Sequence, residues 1–145
     1  MAFSILLIVF SLALLAYWFR YSCLLIVHTR TAEDFALGVS RANRLSFAMV
    51  KERLESGEAR ELAPLYESLS RDYEVLTQLL GQLNREEQQL EERLLQLNFR
   101  VTQVWFRVAN AVGLKAAVDA LEEMSEMVAH FANSVGERQQ VMLQS

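Results

Sequence analysis

From Leu62 to Val108, apolar side chains recur at alternating steps of four and three residues. The series is Leu62, Tyr66, Leu69, Tyr73, Leu76, Leu80, Leu83, Glu87, Leu90, Leu94, Leu97, Val101, Val104 and Val108, with Glu87 its single charged member. A repeat averaging 3.5 residues keeps one stripe of a helix turned toward a neighbouring helix, knobs into holes. Strands alternate with a period of two and cannot use such a stripe. The seam therefore predicts a long coiled-coil helix. Between Pro64 and Val112 only Gly81 is a weak point, so a continuous spine of roughly 70 Å is expected.

The flanks of this spine divide the rest of the chain. Ser56-Gly57 reads as a helix end, with Gly57 suited to the left-handed conformation there. Pro64 suits the first turn of the next helix, where a missing N–H is tolerated. Gly113 closes the spine. Upstream, Thr31 and Asp34 resemble a capping box at the start of a fresh helix; the alternative is that the preceding helix simply runs on. Phe35, Val39, Ala42, Leu45, Phe47, Met49, Val50 and Leu54 then supply an apolar face. Downstream, Ala117, Leu121, Met124, Val128, Phe131, Val135 and Met142 form one face of a return helix. Short connections on both sides imply antiparallel neighbours. With one Pro and five Gly in 145 residues, the fold class is all-α: a single N-terminal transmembrane helix followed by an elongated antiparallel coiled-coil or three-helix body. The expected segments are 1–28 (anchor and interfacial extension), 29–57 (first amphipathic helix), 58–113 (spine) and 114–145 (return helix).

The anchor rests on the absence of any charged side chain from Ala2 to Phe19. Eighteen helical residues span about 27 Å, close to the hydrocarbon thickness of a bilayer. Tyr17, Trp18, Arg20 and Tyr21 follow at once, and amphipathic rings beside a snorkelling cation suit the headgroup boundary. A cleaved signal peptide would carry a basic leader and a small-residue cleavage site; no Lys or Arg precedes the apolar core, so a retained anchor is expected. Arg20, Arg30, Arg41 and Arg44 follow the span, so the body is expected in the cytoplasm and the N-terminus outside, with an extracytoplasmic body as the alternative.

A surface for partners is expected in the second half of the spine. Residues 93–118 hold Arg93, Arg100, Arg107 and Lys115 and no acid, and the three arginines are spaced by sevens. Off the seam lie Leu95, Phe99, Trp105, Phe106 and Ala109, a second apolar face that a two-helix contact does not use. Either the third helix of the body covers it, or a partner protein does, or the membrane surface. For a partner, Leu95, Phe99, Arg100, Trp105, Phe106 and Arg107 are the expected contacts, because aromatic residues and arginine dominate binding hot spots. Asp119, Glu122, Glu123 and Glu126 form an acidic stripe best read as a solvated face. Glu87 either fixes the register of the seam or marks a local splay.

Little points to chemistry. His28 and Cys23 lack a second ligand at metal spacing, and His130 is remote in sequence. Lipidation of Cys23 is the other chemistry its place suggests. No phosphate loop, nucleophile elbow or metal cluster is present. A net charge of -4 gives no general attraction to nucleic acid. The expectation is a non-enzymatic protein without cofactor, whose partners are the lipid bilayer and other proteins, a second copy included. A membrane scaffold or adaptor fits best. The alternatives are a small accessory subunit of a large membrane complex, in one version a cofactor-bearing one, and a transmembrane signalling relay.

Overall fold

The computed structural model describes residues 1–29, 35–57, 61–83 and 89–144, apart from the side chains at 26–29 and 89. They fall into two compact units, Met1–Thr31 and Ala32–Ser145. All regular structure among the described residues is helical.

The first unit is helix α1 (Ala2–Thr29). Consecutive side chains from Ile5 to Phe10 are each at least half exposed, so no face of the helix is covered there. A helix apolar all round is suited to lipid or to an apolar protein environment, not to water. Its stretch Ala2–Leu25 is long and apolar enough to cross a membrane: about 36 Å at the helical rise, against about 30 Å of hydrocarbon. A signal sequence satisfies the same criterion of length and composition. Ser22 Oγ donates to the Trp18 carbonyl one turn back (2.9 Å), which satisfies its hydroxyl within the helix.

The second unit is a helical bundle of α2 (Ala36–Asn43), α3 (Phe47–Glu55), α4 (Ala63–Gln82), α5 (Gln89–Val112) and α6 (Leu114–Gln144). Its central element is α6, which packs against α2, α3, α4 and α5. The sequence explains why. Leu121, Met124, Met127, Val128, Phe131 and Val135 bury a wide arc, and Ala117, Ala120, Ala132 and Gly136 let neighbours approach closely. At Gly136 an added Cβ would lie 2.3 Å from Phe35 Cβ, so the start of α2 sits directly on the α6 backbone. Asn133, one turn earlier on α6, accepts the Phe35 N–H through Oδ1 at 2.7 Å.

Three expectations change. The described part of the expected amphipathic helix 29–57, residues 35–57, forms two helices, because Arg44 adopts a left-handed conformation (φ 54°, ψ 45°) between them. The turn is closed by the Leu45 N–H to the Ser40 carbonyl (2.9 Å) and by Asn43 Nδ2 to the Val39 carbonyl (3.0 Å). The spine is likewise not one helix. The Tyr73 and Phe99 rings stack with centroids 4.0 Å apart, whereas twenty-six residues of unbroken helix would separate them by about 39 Å. Tyr66 stacks on Phe106 at 4.8 Å, and Gln103 Nε2 donates to Ser70 Oγ at 3.1 Å, so α4 and α5 run antiparallel. Finally, the element holding the bundle together is α6, not the spine. The Thr31–Asp34 capping pair and Glu87 lie outside the described residues.

Other sequence signals appear where expected. Gly57 is left-handed (φ 71°) just after α3. Pro64 falls in the first turn of α4. Gly113 alone joins α5 to α6: its N–H closes α5 onto the Ala109 carbonyl (2.8 Å), and its carbonyl receives the Ala117 N–H (3.3 Å). On α4 the seam points inward, with Leu62, Leu69, Leu76 and Leu80 buried.

Candidate docking surface

Helix α5 has two apolar faces, and the bundle covers one. The covered face carries Leu95, Asn98, Phe99, Thr102, Phe106 and Ala109. Phe99 and Phe106 meet Tyr73 and Tyr66 of α4, and Asn98 Nδ2 contacts Met127 Sδ of α6 at 3.3 Å. Thr102 satisfies its hydroxyl on the Asn98 carbonyl (2.9 Å). The face also includes Glu92, which ion-pairs with the buried Arg138 of α6 and pins the first part of α5 to the central helix. Three of the residues expected to bind a partner, Leu95, Phe99 and Phe106, are therefore core residues. The cover for the second apolar face is the bundle itself.

The heptad seam of α5 is what remains outside. Leu90, Leu97, Val101, Val104 and Val108 are between 45% and 73% exposed, and Leu94 is half-buried. Trp105, also half exposed, borders the seam on the side of α6, while Val112 and Leu114 prolong the apolar surface to the end of α5 and past Gly113. Monomers scatter single apolar residues over their surfaces; a contiguous apolar stripe is less usual and is the kind of surface that can meet a protein or a membrane.

One edge of the stripe is basic. Arg93, Arg100 and Arg107 are exposed along it, one per heptad. Arg93 and Arg107 make no ion pair among the described residues. Arg100 reaches back to α4 and hydrogen-bonds the Tyr73 hydroxyl. Burial pushes the Tyr73 phenol above its ordinary value, and the Arg100 charge and hydrogen bond oppose that rise. Arg100, Trp105 and Arg107 are thus the expected contacts that stay on the surface, beside a seam assigned from sequence to the interior.

The remaining sites are placed as follows. Tyr17, Trp18 and Tyr21 are exposed on α1, with Tyr17 and Tyr21 stacked at 6.5 Å. Arg20 is half-buried on the same helix. Cys23 is buried on α1 and is not part of a disulfide, and the side chain of His28 lies outside the described set. In the acidic stripe, Glu122 and Glu126 line a cleft of about 140 Å³ with Lys51 and Glu55 of α3, so they face that helix and not the arginines of α5. No group of three or more His, Cys, Asp or Glu is arranged to hold a metal among the described residues.

The inversion of α5 had one readable signal. Tyr66 and Tyr73 are seven residues apart, as are Phe99 and Phe106. Two equal aromatic spacings suit an antiparallel ladder of stacked rings, which a continuous helix cannot make. Compared with protein-family models, curated proteins and solved structures, the chain matches none.

Proposed function

We propose that this protein is a membrane-anchored, non-catalytic adaptor, held in the bilayer by α1 and presenting the outward seam of α5 to a partner protein. The observation that carries the reading is the exposure of Leu90, Leu97, Val101, Val104 and Val108 at heptad spacing on a helix whose opposite face is fixed in a core. A surface built this way is rigid and already ordered, so little conformational entropy is lost when a partner docks. The anchor supplies location. Arg20, Arg41 and Arg44 follow the span, and the positive-inside rule puts the bundle on the cytoplasmic side.

Two experiments test this. A photo-reactive residue at position 101 in native membranes should cross-link to a protein; adducts with lipid alone, or none, contradict the docking role. Membrane extraction and protease protection test the anchor and its orientation: the reading expects α1 retained in the mature chain, and a bundle degraded only when the cytoplasmic face is open.

A further inference from the structure

We infer that the α5 seam is the basic half of a two-stranded coiled coil, and that its occupant is a helix of another protein with a Leu/Val seam flanked by Glu or Asp once per heptad. This deepens the adaptor reading and rests on it. Leu94, Val101 and Val108 occupy one sub-position of the repeat and Leu90, Leu97 and Val104 the other, the aliphatic set that packs knobs into holes. Six such residues, with Trp105 alongside, supply a large share of the roughly 800 Å² per partner that a stable interface uses.

Charge selects among occupants, because residues flanking the seam set partner choice and orientation. Arg93, Arg100 and Arg107 form the exposed edge; on the other edge α5 already packs against α6 through Asn98. A second copy docked antiparallel would set this arginine row against itself. Docked parallel, the arginines would meet Asn98, Trp105 and Val112 of the second copy, none of them acidic. An acidic row on a different helix answers every arginine in either orientation. A membrane surface is the less suited occupant. A helix lying in the interface uses a broad apolar face with cations spread over its polar side, whereas this stripe is narrow and basic along one edge.

The test uses the full chain in phosphatidylcholine nanodiscs and two labelled synthetic heptad peptides of about 28 residues, both with Val and Leu at the seam. One carries Glu at the flanking positions and the other Lys. The Glu peptide should bind and become helical, and the Lys peptide should bind at least about tenfold more weakly. Arg93→Glu with Arg107→Glu should invert that order while leaving the helical spectrum of the chain unchanged; this pair spares Arg100 and its contact with Tyr73. Equal binding of the two peptides, no binding of either, dimerisation of the chain through the seam, or partition of the seam onto phosphatidylserine vesicles in place of peptide binding would each overturn the acidic-partner assignment. The position-101 cross-link separates the two levels. A protein adduct together with indifferent peptides removes the acidic edge and leaves the adaptor role. Lipid adducts alone, or none, remove both.

Discussion

The Tyr73 ring on α4 lies flat against the Phe99 ring on α5, with centroids 4.0 Å apart and planes 11° apart, while Phe131 of α6 meets Tyr73 edge-on at 5.7 Å. This three-ring contact ties together the three long helices of the bundle. It also fixes which face of α5 is inside, since Phe99 cannot stack on Tyr73 unless the seam points away.

Mutating the two faces of α5 should therefore have opposite signatures. Phe99→Ala removes a fully buried ring and should cost about 3–5 kcal/mol of stability. Val104→Asp, at a position 61% exposed, should change stability by no more than about 0.5 kcal/mol yet abolish recovery of the partner. Denaturant unfolding and co-purification read the two effects separately.

Two glycines should respond to alanine with opposite signs. In a helix, Gly→Ala ordinarily stabilises by about 1 kcal/mol. Gly81 on α4 has nothing within 4 Å of where an added methyl group would sit and should follow that rule, somewhat weakened near the helix end. At Gly136 the methyl meets Phe35 Cβ at 2.3 Å, so the net effect should be a loss of about 1–3 kcal/mol and displacement of α2. Thermal unfolding of the two variants side by side checks this.

A pH-dependent term is predicted at Asp72. Its carboxylate accepts the Ser46 N–H at 2.6 Å and so caps the start of α3 from α4. Burial raises its pKa above the usual 3.8, and the hydrogen bonds from the Ser46 and Phe47 N–H groups and the nearby Arg71 only partly offset that rise. The folded state then holds the proton more tightly than the unfolded chain. Its contribution is most favourable below the unfolded value and declines as pH rises from about 3.8 through the higher folded value. Asp72→Asn keeps an acceptor oxygen for the cap and removes this slope. Comparing unfolding free energies of wild type and variant from acid to neutral pH should show the difference shifting in favour of the variant as pH rises.

Arg44 offers a backbone test. A non-glycine residue in the left-handed region is strained by about 1 kcal/mol or more. Arg44→Gly should therefore stabilise the turn between α2 and α3 by about 1 kcal/mol, measured by thermal unfolding.

Much of the fold was legible because it depends on local signals. Gly57, Pro64 and Gly113 mark helix ends by their own backbone chemistry. The inward seam of α4 and the apolar face of α6 follow from periodicity. What was not legible depends on choices between near-equal alternatives. Asn84 to Gln88 contain neither proline nor glycine, so the heptad count passes from α4 to α5 without registering that the two helices are antiparallel. Helix α5 has two apolar faces, and periodicity cannot say which one the bundle takes. The aromatic ladder decides it, through contacts between residues more than twenty positions apart. Arg44 carries no sequence mark of its left-handed conformation. For the candidate docking surface the consequence was an exchange of faces: Arg100, Trp105 and Arg107 stayed outside, while Leu95, Phe99 and Phe106 changed places with the seam.

The most direct measurement is thiol accessibility along α5 in the purified full chain. Single cysteines are placed at each position from 94 to 109 in a Cys23→Ala background, and their rates of alkylation are compared. Rapid labelling at 97, 101, 104 and 108, with protection at 95, 99, 102, 106 and 109, is the predicted pattern. The reverse, with the seam protected and Phe99 and Phe106 positions reactive, would contradict the outward seam and the docking surface built on it.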